Sequence, residues 1–203
     1  MTSFGGVTFS GIASFGGAAF TSYAMFGGAT FSGDAAFDQV AFSDRARFDG
    51  ATFAGTTRFD AATFTKDAAF DQVAFTKDAW FDQATFSGPA GFGGATFSGN
   101  AEFDDVTFSG NTNFAKATFT MNTGFGGAAF PHISSFAEAT FSGNTRFDRA
   151  TFSRNTSFEN VRIPRRPNRS DIWPTGWAIA TKAEFNTLIR PHMHPQDRSP
   201  EPV

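Results

Sequence analysis

Between Phe4 and Phe158 the chain places a phenylalanine every five or six residues, and the two gaps alternate without exception. FSGDAAFDQVAF (31–42) shows the pattern, and FTKDAAFDQVAF (64–75) repeats it. Two interleaved series of period 11 result. One runs from Phe4 to Phe158, the other from Phe9 to Phe152, and together they take 29 of the 30 Phe. Two residues before almost every Phe stands a small Ala, Val or Thr. The positions on either side of each Phe are mostly Thr, Ser, Asp or Gly.

A helix does not accommodate this pattern. Residues five apart lie roughly 140° apart on a 3.6-residue helix, so the two series share no narrow stripe. The array is also rich in Gly and Thr, which are poor helix formers. A right-handed coiled coil has an 11-residue period too, but it needs more apolar positions per repeat. Short strands fit. Side chains at i−2 and i point to the same side of a strand, so each Phe shares the interior with one small residue. The interior set so defined includes Phe31, Phe37, Phe42, Phe48, Phe53, Phe59, Phe64, Phe70, Phe75, Phe81, Phe86, Phe92, Phe97, Phe103 and Phe108. Corners fall between one Phe and the next small residue. The six-residue segments carry an extra corner residue, often Asp34, Asp67, Asp78, Asn100, Asn111, Asn122, Asn144 or Asn155, with Gly33, Gly99, Gly110 or Gly143 before it. Asn, Asp and Gly tolerate positive φ, and Asn and Asp bond their own backbone, so left-handed corners are expected there.

Ala95-Thr96-Phe97-Ser98-Gly99 and Ala139-Thr140-Phe141-Ser142-Gly143 have a small residue, a polar residue, a central Phe and two more polar or small residues. In this the chain resembles the pentapeptide-repeat family over about residues 2–163. Alternating five with six departs from that family's strict five and looks like a Phe-rich variant. The resemblance implies an all-β, right-handed quadrilateral parallel β-helix, or solenoid, with four segments and hence about 22 residues per coil. At ~4.8 Å per coil the array makes a rod roughly 34 Å long. A two-sided, 11-residue coil of twice the length is the competing reading. Asp directly after Phe favours one alternate set (Asp38, Asp60, Asp82, Asp104 and Asp148), which points to 22. Val7, Val40, Val73 and Val106 recur every 33 residues, which points to duplication in units of 11. The 22-residue coil is the reading adopted.

Residues 1–163 therefore form the β-helix, with Val161 and Ile163 continuing the pattern once more. Residues 164–171 read as a basic linker, 172–191 as a cap and 192–203 as a disordered, Pro-rich tail. Trp173 and Trp177 flank an aromatic turn. Thr181-Lys182-Ala183-Glu184 is a capping-box signature, and Phe185, Leu188 and Ile189 share one helical face ahead of Pro191. A short helical cap over the last coil is the expectation, since repeat arrays need covered ends. No cap is visible at the first repeat, so that end is either exposed or stacked on a partner, a homodimer through a solenoid end being one form.

Net charge is −3, but residues 1–160 carry −6 and residues 161–203 carry +3. MTSFGGVTF has no signal-peptide pattern, and no run of ~18 apolar residues exists to span a membrane. A cytoplasmic, non-membrane protein is expected, and the absence of Cys is compatible with it. No nucleophile–base arrangement and no phosphate loop stands out, so neither enzyme activity nor a cofactor is expected. His192-x-His194 has metal-pair spacing, but in a polar tail the simpler reading is a solvated surface. The Asp row (Asp38, Asp60, Asp82, Asp104, Asp148) is the candidate partner-binding surface.

Non-enzymatic protein scaffolding for an unidentified partner, without direct nucleic-acid binding, is the primary functional reading. Some family members mimic duplex DNA and bind a type II topoisomerase, so DNA gyrase is the alternative partner that the resemblance implies. The charge count argues against a strong version. DNA carries one charge per ~1.7 Å, whereas −6 along the rod is one per roughly 6 Å at the sheet spacing. A third reading rests on outward hydroxyl pairs such as Thr85/Ser87, Thr96/Ser98 and Thr107/Ser109, which resemble an ice-binding face. High strand propensity of outward Thr explains the same pattern.

Overall fold

The computed structural model describes residues 1–182 and 185–190. Two-residue strands follow one another from Thr2–Ser3 to Thr156–Ser157 and stack into four parallel walls, of eight, seven, seven and seven strands. The walls begin at Thr2–Ser3, Thr8–Phe9, Ala13–Ser14 and Ala19–Phe20, and are numbered first to fourth in that order. Each strand pairs with the one 22 residues on, as Phe53 with Phe75 and Ala79 with Ala101. The coil is thus 22 residues with four sides, and the 11-residue alternative is excluded.

Inside, the rings form four columns. Phe59, Phe81 and Phe103 stack nearly parallel, 4.9 and 4.8 Å apart, and neighbouring columns meet edge to face, as Phe70 and Phe81 do at 5.6 Å and 88°. Offset-stacked and edge-to-face are the two arrangements that the ring quadrupole favours. Every Phe from Phe31 to Phe108 is at most 1% exposed, and the small partners Ala35, Val40 and Ala79 are buried beside them.

The two gap lengths make two kinds of corner. In each five-residue segment the N–H of the third residue after Phe donates back to the Phe carbonyl, as Ala84 to Phe81 at 3.0 Å. The residue before it has positive φ: Gln39, Ala61, Gln72, Gln83, Asp105 or a glycine such as Gly94. That is a type II turn. The left-handed residues expected at Asp34, Asp78 or Asn100 are therefore elsewhere. With one more residue, the six-residue corner turns without positive φ at these positions. Its Asx side chains bond the next coil instead of their own backbone: Asp34 Oδ1 accepts from Thr56 N–H at 2.9 Å, and Asp78 Oδ1 from Asn100 N–H at 2.8 Å. Glycine serves close approach there, since a Cβ on Gly33 would lie 2.8 Å from the Gly11 carbonyl.

The expected helical cap is a hairpin. Ala178–Thr181 and Asn186–Ile189 pair antiparallel, with Thr181 opposite Asn186. The capping-box Thr181 is thus a strand residue; Ala183, Glu184 and everything from Pro191, including the tail from His192, lie outside the described residues. Strand prevails because Ile163 has a backbone edge to satisfy. Ile163 N–H donates to the Asn186 carbonyl at 2.8 Å, and the Ile163 carbonyl accepts from Asn186 N–H at 2.9 Å. A helix has no such free backbone groups to offer. Ile179, Thr181, Thr187 and Ile189 are also β-branched, which suits strands. Leu188 is buried, Ile189 is 46% exposed, and the Phe185 ring has Arg162 and Lys182 each 5.6 Å from its centre. Trp177 meets Phe158 edge-on at 4.8 Å and Trp173 packs on Phe141 and Phe147.

Within 164–171, Arg169 is nearly buried. It donates to the carbonyls of Phe141, Ser142, Gly143 and Pro164 and forks onto Asp171. Asp171 in turn accepts from Thr145 N–H at 2.9 Å, and Ile172 bridges Arg146, so this segment continues the third wall.

Phe81→Ala should cost about 3–5 kcal/mol in denaturant melts, because it opens a ring-sized hole between two stacked neighbours. Thr85→Ala, on the outer surface, should cost under about 1 kcal/mol; equal losses would overturn the assignment of inside and outside. Arg169→Ala should cost about 3–5 kcal/mol, since Asp171 is left buried without its cation. Arg169→Lys should not restore it, because an ammonium lacks the guanidinium fork.

Candidate functional site

The strand positions that face outward on the third wall form a column of Arg58, Trp80, Glu102, Gly124 and Arg146, one per coil. Beside it runs a second column, at the first residue after each Phe: Asp38, Asp60, Asp82, Asp104, Gly126 and Asp148. The five candidate aspartates therefore share one edge, and the 22-residue register is what aligns them. Sequence reasoning picked out the Asp column but missed its neighbours. Trp80, Glu102 and Arg146 were legible as outward residues immediately before a Phe, but only the register sets them beside the acids.

The aspartates are not simply solvated. Asp60 Oδ1 accepts from Asp82 N–H at 3.1 Å, Asp82 Oδ1 from Asp104 N–H at 2.9 Å, and Asp104 Oδ1 from Gly126 N–H at 2.7 Å. Each carboxylate thus satisfies the turn amide one coil further on. On the first wall Asp71 does the same for Gly93 at 2.7 Å. Half-burial pushes the Asp60 carboxyl up to about 6, with the like charges of Asp82 and Asp38 adding to it. Burial raises Asp82 and Asp71 as well.

Glu102 goes furthest, to about 7, through burial first and Asp104 second. Its carboxylate lies over Gly124, where a Cβ would collide with Oε2. Gly124 borders a notch of about 420 Å³ that Glu102 and Asp104 also line. Arg146 closes it, 2.5 Å from Asp104 Oδ2 and 3.7 Å from Asp148 Oδ1. A second depression of about 540 Å³ surrounds Trp80, bordered by Asp38, Arg58, Asp60, Asp82 and Gln83. Trp80 is 40% exposed, and Arg58 pairs with Asp38 at 3.5 Å. Among the described residues no three carboxylate, His or Cys side chains are grouped as metal ligands, and no helix is long and apolar enough to cross a membrane.

The outward hydroxyl pairs divide between two walls. Thr30, Thr96, Thr118 and Thr140 stand on the second, and Thr63, Thr85, Thr107 and Thr151 on the fourth.

The model of pentapeptide repeats (9 copies) matches residues 1–41, 37–85 and 81–129, and the chain belongs to the pentapeptide-repeat family. No curated protein and no solved structure gives a significant match.

Asp82→Asn should leave stability nearly unchanged, because the amide oxygen still accepts from Asp104 N–H; Asp82→Ala should cost about 1–3 kcal/mol. Equal effects in thermal melts would refute the turn-amide role. Glu102 gives a pH signature. Its folded pKa lies above its unfolded one, so ionisation disfavours the fold and stability falls as pH rises from about 4.5 to about 7. Melting temperature should therefore drop between pH 5 and pH 8, and Glu102→Gln should flatten that drop; an unchanged profile would contradict the burial of this carboxyl.

Proposed function

We propose that this chain is a non-enzymatic repeat scaffold that binds a protein partner through the acid-edged third wall. The observation that carries this reading is the placement of Asp38, Asp60, Asp82, Asp104 and Asp148 on one edge. The repeat itself supplies an inert rod. Its interior is filled by rings, and its backbone groups are taken up between coils. Chemistry specific to this chain has to reside on the outward side chains, and on the third wall Arg58, Trp80, Glu102 and Arg146 stand where the second wall carries mostly Thr.

Within this reading a type II topoisomerase is the first partner to try, on family resemblance. The balance of charge tempers it: Arg58 and Arg146 pair with members of the row, and the raised pKa values of Asp60 and Glu102 lower its charge near neutrality.

The test uses the full chain as bait beside the triple variant Asp60→Asn, Asp82→Asn, Asp104→Asn. A partner held by the wall should be retained by the wild type, lost with the triple variant, and released as salt shortens the Debye length to ~8 Å and below. A partner that binds both baits equally would sink the reading. For the topoisomerase, a supercoiling assay with purified gyrase unaffected at tens of micromolar protein would remove that candidate alone.

A further inference from the structure

We infer that the depression around Trp80 seats an arginine side chain of the partner, its guanidinium stacked on the indole and forked onto Asp60 and Asp82. This rests on the third wall being a binding face and names what it recognises. The indole stands exposed in a column whose other members are Arg58, Glu102, Gly124 and Arg146. Its immediate surroundings are the carboxylates of Asp38, Asp60 and Asp82, with Arg58 and Gln83, rather than apolar groups. That combination suits a cation with a flat, weakly hydrated face more than an aliphatic side chain.

The local charge is unbalanced in the matching sense. Among the described residues, Asp60, Asp82 and Glu102 have no ion pair, while Arg58 is drawn to Asp38. Elsewhere the protein does place its own cations over rings: Arg190 lies 4.7 Å from the centre of Trp177, and Arg162 and Lys182 lie over Phe185. No such cation lies over Trp80 among the described residues. Asp60 and Asp82 stand one coil apart, ~4.8 Å at the sheet spacing, within the span of a guanidinium fork. A lysine would supply charge without the stacking plane or the fork.

The facing groups are Asp38, Asp60, Asp82, Glu102 and Arg58, with Asp104 one coil beyond Asp82 and Arg146 reaching Asp104 from two coils further on. Burial holds Asp60 and Glu102 partly protonated near neutrality. An arriving cation favours their ionised forms, so affinity should weaken as pH falls from 8 to 5.5.

Fluorescence anisotropy of a dye-labelled hexa-arginine peptide, titrated with the full chain at low salt, tests this. Wild type should bind hexa-arginine more tightly than hexa-lysine. Trp80→Ala should weaken hexa-arginine binding by about three- to thirtyfold, the range that a stacked cation contributes, and Trp80→Phe should recover part of it. Circular dichroism confirms that each variant keeps its β signal, as expected for an outward side chain. Hexa-arginine binding that is unchanged in Trp80→Ala would overturn the arginine seat. If the Asp60→Asn, Asp82→Asn variant still lost binding in that case, the acid-edged wall would survive as a binding face without it. If neither variant changed binding, both readings would fall.

Discussion

Everything in this fold depends on one coincidence of lengths. Parallel strands are held ~4.8 Å apart by their hydrogen bonds, and stacked aromatic rings prefer nearly the same separation. Here ring centroids in a column lie between 4.5 and 5.1 Å apart. The backbone ladder and the ring stack therefore reach their optimum together, and neither strains the other. A leucine in the same slot would fill space but would lack the two preferred geometries that lock adjacent columns edge to face. The small residue two positions earlier follows from the same constraint, because a second large side chain would force the rings out of register.

The corners obey a related rule. A coil must turn four times, and each turn leaves amides that its own sheet does not use. The carboxylate or amide side chain from the preceding coil covers several of them: Asp34 for Thr56, Asp60 for Asp82, Asp78 for Asn100. Neighbouring coils are thus tied by rings inside, by ladders in the walls and by Asx bonds outside. All three ties reach only one coil away, which is the basis of nearest-neighbour cooperativity in repeat proteins. At the C-terminal end, where no further coil exists to supply partners, Arg169 takes four carbonyls and Asp171 supplies the acceptor for Thr145. There this charged pair, the Ile172 bridge, the hairpin at Ile163 and the two tryptophans share what a further coil does elsewhere.

The interior was legible because it repeats. Twenty-nine copies of one small-x-Phe rule average out local exceptions, and the 22-residue register could be read from the Asp that follows alternate Phe residues. Corner geometry was less legible, since Asn and Asp serve both as left-handed residues and as acceptors for a neighbouring chain, and sequence alone does not separate the two. Gln39, Ala61 and Lys116, which do adopt positive φ, carry no marker that composition would flag. The cap was misread for a related reason. Thr181 to Ile189 has a helical face and a strand alternation in the same nine residues, and the unpaired edge at Ile163 decides between them. Such a tertiary demand leaves no trace in the local pattern.

Any specificity for a partner has to lie outside the repeated rule. A rod built from one repeated rule presents nearly the same surface at every level, so a partner reading only that rule would slide from coil to coil. Position along the axis can be told only from departures. On the third wall there are several: Arg58, Trp80, Glu102, Gly124 and Arg146 occupy successive levels of one column with four different side chains. On the second wall the corresponding column is Thr at six of seven levels. A hydroxyl column of that kind offers no address. The third wall offers one, with an indole at its centre and a carboxylate row alongside to set the orientation. On the proposed reading the acids and the aromatic have separable duties: the row would attract a cationic surface at any level, and Trp80 would fix the level at which it stops.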